Sequence, residues 1–99
     1  MLRLRPEATE DLNAAARWTE AQEKGLGRQF LAEVRLVFRR IRENPDVYPV
    51  AYRGTRRALI RRFPYGVLDV PLPQKDCIVV LAALHCGRDP RLWRQRSRA

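Results

Sequence analysis

The sequence predicts an α+β fold in the order β-α-α-β-β-β, a helical hairpin packed on a small antiparallel sheet, with a short C-terminal helix. Three observations predict it. Two consecutive segments of the first half carry apolar residues at helical spacing with two glycines between them, a wholly apolar run from Ile78 to Leu84 follows, and Asp89-Pro90 opens a last helical stretch. At 99 residues the chain suits one domain, 1–99, and folding at this size hides roughly 60–70% of the surface the unfolded chain exposes. One modest core is therefore expected, and a deep enclosed catalytic cavity is not.

Leu2 to Arg5 alternate apolar and basic residues, as a short strand does, and Pro6 suits the first turn of a helix. From Glu7 to Glu23, Ala8, Leu12, Ala15, Ala16 and Thr19 fall on one helical face, with Glu7, Glu10 and Asp11 at the positive end of the dipole. Gly25-Leu26-Gly27 interrupts that pattern. Phe30, Val34, Val37, Phe38 and Ile41 then repeat the spacing with larger side chains, Arg28, Arg35, Arg39 and Arg42 point elsewhere, and Asn44-Pro45 stops the helix. The apolar faces of the hairpin need a sheet to cover.

Thr55 to Phe63 reads as a strand by length and Leu/Ile content, although both of its faces mix arginine with apolar residues. Tyr65 to Val70 is the next, with Leu68 and Val70 on one face and Asp69 on the other, and Pro71 and Pro73 should cut its pairing short. Gln74-Lys75-Asp76 makes the connection, with Lys75 solvated. Cys77 to Leu84 is a central strand buried on both faces. Val34, Val37, Phe38, Val80 and Leu84 are expected to meet across the helix–sheet interface. Asp89 caps a helix through Trp93, and the basic tail from Arg94 to Ala99 is expected to fray.

Charge is the second bound. The net charge is +9, and all but Lys24 and Lys75 of the twenty basic residues are arginine. Residues 1–46 hold nine bases against eight acids, whereas residues 47–99 hold eleven against three, so the basicity lies in the second half. That excess favours nucleic acid or an acidic protein segment as partner, against an ordinary solvated surface. Cys77 and Cys86 flank one extended strand that separates them by about 30 Å, beyond disulfide reach. With one histidine and no close cysteine pair there is no zinc ligand set, and neither metal nor cofactor is expected. No apolar run approaches the ~18 residues of a membrane span, and the N-terminus lacks the layout of a signal peptide, which points to a cytoplasmic chain.

The ordered pieces resemble the RelE/ParE toxin superfamily, in its ParE-like branch, over nearly the whole length. They are Asp11-Leu12 with Trp18, the Gly25 to Gly27 turn leading to Phe30, Asn44-Pro45 with Tyr48-Pro49, Arg56-Arg57 followed by Arg61 to Tyr65, and His85, Arg88-Asp89-Pro90 and Trp93. The resemblance implies that the last strand is central, flanked by the first strand and by its own hairpin partner. One departure is the LDVPLP stretch, where similar chains carry another tyrosine or a β-branched residue.

Each residue with chemical potential has two readings. His85 ends the apolar run and is the one side chain here titrating near neutrality, which suits a general acid or base, while its ring equally suits a hydrogen bond to the following turn. Arg57, Arg61 and Arg62 suit a bidentate grip on phosphate or carboxylate, or protection of a sheet edge. Tyr65 suits stacking or core packing, and Trp93 suits a partner anchor or the cover of a sheet. Arg88 and Asp89 suit the turn's own hydrogen bonds. The expected target- or antitoxin-binding set is Arg57, Arg61, Arg62, Tyr65, Arg88 and Trp93, with His85 the catalytic candidate.

The resemblance further implies a growth-inhibitory toxin of a type II, plasmid-stabilising toxin–antitoxin module that binds a protein target, DNA gyrase. A cognate antitoxin of ribbon-helix-helix or similar type, with an acidic-apolar segment, would neutralise it. The alternative is a RelE-like, ribosome-dependent messenger-RNA endonuclease, which needs a base, an acid and cations. Cations abound here, but no obvious second acid/base accompanies His85: no tyrosine follows Tyr65, and the lysines are only Lys24 and Lys75. A small basic nucleic-acid-binding module is the third class. Its charge requirement is met, but the apolar hairpin does not suggest it.

Overall fold

The computed structural model describes residues 1–97, and the last two residues of the basic tail lie outside the described residues. Helix α1 (Pro6–Gln22) buries Ala8, Leu12, Ala15 and Thr19, and α2 (Leu26–Glu43) buries Gly27, Phe30, Val34, Val37 and Ile41. The two glycines between them do different work. Gly25 takes a left-handed φ of 88° and makes the turn, whereas a Cβ on Gly27 would stand 2.7 Å from the Ala16 carbonyl oxygen. Gly27 thus lets the two helices touch. The N–H groups of Gly25 and Gly27 both donate to the Glu20 carboxylate at 2.9 Å, satisfying the open start of α2.

The sheet holds β1 (Leu2–Leu4), β2 (Val50–Tyr52), β3 (Thr55–Leu59), β4 (Tyr65–Leu72) and β5 (Cys77–His85), in the spatial order β1-β5-β4-β3-β2. The last strand is central between the first strand and its hairpin partner. The sheet is mixed rather than wholly antiparallel, because β1 runs parallel to β5, pairing Leu2 with Ile78 and Leu4 with Val80. A short helix, α3 (Pro90–Arg96), covers the face opposite the hairpin, and the Asp89 side chain caps it by accepting from the Arg91 N–H at 2.8 Å. The tail from Arg94 to Arg96 is its last turn rather than a frayed end.

Four further expectations need correction. Strand β3 ends at Leu59, because Arg61 and Arg62 form the hairpin turn: Arg62 has a left-handed φ of 71° and the Ile60 N–H donates to Tyr65 O at 2.8 Å. Nor is β3 an edge, since Val50–Tyr52 pairs outside it through a tight turn in which Arg53 and Gly54 both have positive φ. The pairing of β4 does not stop at Pro71; it continues to Leu72 opposite Cys77. Pairing with β3 has already ended at Asp69, so Pro71 has a neighbour on one side only.

The fourth concerns Leu84. Val34, Val37 and Val80 meet in the helix-side core and half-buried Phe38 packs against it, but Leu84 lies on the opposite face with Leu68, Leu81 and Trp93. Between the pairs Asp69–Val80 and Leu68–Ala82, Leu81 is an extra residue, a bulge in β5. One inserted residue reverses the alternation, so an even spacing from Val80 no longer returns to the same face.

Candidate functional site

The face of the sheet turned away from the α1–α2 hairpin is built around Trp93. Gly66 lies on this face, where a Cβ would stand 3.1 Å from the Trp93 ring, so its bareness lets the indole lie on the sheet. The Arg57 guanidinium lies 5.4 Å from the ring centroid. Trp93 is 8% exposed and covers the sheet, packed with Leu68, Leu81 and Leu84.

Beside it opens a cleft of about 260 Å³ lined by Tyr52, Arg57, Cys86, Arg88, Trp93 and Arg94, among others. That volume takes one side chain or one phosphate group rather than a large ligand. Four ion pairs form among the described residues, Arg56–Asp46, Arg62–Glu33, Arg91–Asp89 and Arg96–Asp11, and none involves Arg57, Arg88 or Arg94. Asp89 is turned to Arg91, whose hydrogen bonds hold its carboxyl below the usual range. Three cations therefore line the cleft without an ion pair, Arg94 alone lying near enough to Asp89 to act on its carboxyl, an arrangement suited to an anion.

A second cleft, sharing Arg88, is lined by Asp11, Ala14, Trp18, Tyr65, Ala83 and His85, among others. The Tyr65 ring packs edge-on against Phe30 at 5.2 Å and against His85 at 5.3 Å, and burial pushes its hydroxyl pKa up, with Arg88 opposing. The Gly87 N–H donates to His85 Nδ1 at 2.9 Å, so that nitrogen is an acceptor and a neutral ring carries its proton on Nε2. The turn bond foreseen for His85 is present. Asp11 is committed elsewhere, accepting from Arg96 at 2.6 Å and from the Ala83 N–H at 3.1 Å.

Of the residues singled out in the sequence, Arg57, Arg88 and Trp93 come together in the first cleft and Tyr65, His85 and Arg88 in the second. Arg61 and Arg62 do not join them. They sit at the β3–β4 turn, where Arg62 faces Glu33 at 3.7 Å and lies 5.9 Å from the Phe63 ring centroid. Three site residues escaped the sequence reading. Arg94 belonged to the supposed tail, Tyr52 to the unrecognised edge strand, whose signal was the Arg53-Gly54 turn, and Trp18 is 54% exposed at the mouth of the second cleft.

Asp69 was placed on the face away from Leu68, which is correct, but it is only 1% exposed. Its two oxygens and the Nε of its register partner Arg56 have no hydrogen-bond partner. Burial raises its carboxyl pKa to about 6, and Arg56 opposes the rise. The Arg56 guanidinium turns instead to Asp46 at 2.7 Å and to Tyr48 O at 3.3 Å. Among the described residues no three His, Cys, Asp or Glu side chains are grouped to hold a metal ion, and no helix is long and apolar enough to cross a membrane.

The profile of the family described as ParE toxin of type II toxin-antitoxin system, parDE, matches residues 2–90. No curated protein sequence matches the chain. A solved chain from the "Chromosomal ParDE TA system from P. aeruginosa" has the same fold, with a TM-score of 0.62 and 17% identity over 85% of this chain and 92% of that one.

Proposed function

Because the chain belongs to the ParE toxin family of type II toxin–antitoxin systems, we propose that it inhibits growth by gripping a protein target, DNA gyrase, and not by cleaving RNA. An antitoxin is the partner that family membership implies. The observation that carries the proposal is the make-up of the first cleft: Arg57, Arg88 and Arg94 gather there with no carboxylate or imidazole among the lining residues. Such a cleft binds anionic groups, but it holds no carboxylate or imidazole to act as base on a ribose hydroxyl, and Tyr52 and Cys86 are the lining side chains with a weakly acidic proton. His85, the sequence's catalytic candidate, lines the other cleft with Nδ1 already engaged.

The antitoxin would dock an acidic-apolar segment on the exposed apolar side chains around the β2–β3 hairpin. Val47, Val50 and Leu59 are 46%, 58% and 58% exposed there, and Arg40 and Arg57 line the same surface as Val50 and Leu59. In this reading residues 1–99 act as one unit in the cytoplasm within a plasmid-stabilising module. The test is a purified supercoiling assay beside primer extension on ribosome-bound transcripts from induced cells. Loss of supercoiling with intact transcripts is expected. Codon-positioned cleavage abolished by His85→Ala would establish the nuclease instead.

A further inference from the structure

The outward face of α2 carries a second concentration of charge, remote in sequence from the basic half of the chain. Arg28, Arg35, Arg39 and Arg42 are all exposed and, at successive spacings of seven, four and three residues, fall on one helical stripe. At 1.5 Å per residue the stripe runs for about 21 Å, and its last three members span roughly 10 Å. None of the four forms an ion pair among the described residues. The acids of α2 leave them free: Glu33 faces Arg62, and Glu43 makes no ion pair with Arg39, one turn before it. Arg28 acts on the nearby Glu20, and Arg42 shares a cleft with Asp46 and Asp76 but forms an ion pair with neither, so the part of the stripe that is unpaired and away from Glu20 is Arg35, Arg39 and Arg42.

Helix stability accounts for part of this. Arg40 and Arg42 in the last turn complement the helix dipole. Arg35 stands mid-helix, where the dipole offers nothing. Composition then separates the possible partners. A peptide that folds on a surface needs apolar pockets, and the large exposed apolar side chains, Trp18, Val47, Val50 and Leu59, lie on other elements; α2 contributes Leu36 alone, 42% exposed. A row of cations with Leu36 as the one large exposed apolar side chain beside it on the helix fits a ligand that is itself a row of anions.

We propose that the Arg35–Arg39–Arg42 stripe of α2 binds the phosphate backbone of duplex nucleic acid without reading sequence. This stands whether or not gyrase is the target, because it uses neither cleft. Guanidiniums contact phosphate oxygens by charge-assisted hydrogen bonds, and three neutralised phosphates release about three counterions. Affinity should therefore fall with a log–log salt slope of about −2.7, or about 40-fold between 50 and 200 mM salt.

The experiment measures fluorescence anisotropy of a labelled 25-base-pair duplex of arbitrary sequence with the whole chain across that salt range. The triple variant Arg35→Gln, Arg39→Gln, Arg42→Gln should bind at least tenfold more weakly at 50 mM with a flattened slope. The corresponding triple lysine variant, which keeps the charge, should retain both affinity and slope, separating a charge effect from misfolding. Tighter binding of poly-glutamate than of the duplex would overturn the proposal in favour of an acidic protein. Undiminished duplex binding by the glutamine variant, with loss in Arg88→Glu/Arg94→Glu, would move the site to the cleft and equally overturn it.

Discussion

Arg96, in the last turn of α3, grips Asp11 of α1 at 2.6 Å and at the same time donates to the Leu81 carbonyl at 3.1 Å. Asp11 in turn accepts from the Ala83 N–H at 3.1 Å. Strand β1 pairs with β5 only as far as Val80, with Arg5 N–H reaching Val80 O at 3.0 Å, so beyond that point the two side chains take the place of the missing strand. They satisfy the backbone of the Leu81 bulge.

Removing either partner leaves a charge against that backbone. Asp11→Ala should destabilise the fold by about 2–3 kcal/mol, and a double-mutant cycle with Arg96→Ala should return a coupling of at least about 1 kcal/mol. Urea titration of the four proteins checks this. Additive effects would mean the pair is merely adjacent.

Burial ranks the aromatic core. Phe30 is fully buried and meets both Phe63 and Tyr65 edge-on, so Phe30→Ala should cost about 3–5 kcal/mol. Phe38, half-buried at the margin, should cost about half as much in the same denaturation experiment.

Gly27→Ala should destabilise by about 2 kcal/mol or more, because the new methyl has the Ala16 carbonyl in its path and the helices must separate. Gly25→Ala meets no atom within 4 Å and is disfavoured only by its φ of 88°, at about 1 kcal/mol. Thermal unfolding of the two variants should rank them in that order.

Asp69 makes stability depend on pH in the sense opposite to an ion-paired carboxylate. Its folded-state pKa, about 6, lies above the ordinary 3.8, so the native state binds the proton more tightly and protonation stabilises it. That contribution is fully present below about pH 4 and is lost as pH rises through about 6. Asp69→Asn should therefore stabilise the protein at pH 7 by about 1–3 kcal/mol, with the difference from the parent vanishing near pH 4. Denaturation series at the two pH values decide it.

What the sequence made legible was whatever repeats at a fixed spacing. The two helical faces, the apolar central strand and the Asp89 cap all declare themselves locally, and each is where it was expected. The mixed sheet and the face taken by Leu84 were not legible, because both depend on how β5 meets strands far away in the chain, including a bulge with no residue signature. For the site the same division holds. Arg57, Arg88 and Trp93 were identifiable by type, but their separation from Arg61 and Arg62 depends on a turn at Arg62 that a strand-like composition concealed. Asp69 was invisible as a buried acid, since alternation in an otherwise apolar strand reads as an outward face.

The bond between Arg96 and Asp11 joins residues 85 positions apart, and Leu2 finds its strand partner only at Ile78. Closing loops of that length comes late and slows folding. During synthesis the opening strand has no partner until β5 has emerged, while the first helix can already pair with the second in the hairpin. The fold described is thus complete only once Arg96 has been added, and a chain cut short of it would leave the Leu81 carbonyl and the Asp11 carboxylate without their guanidinium partner.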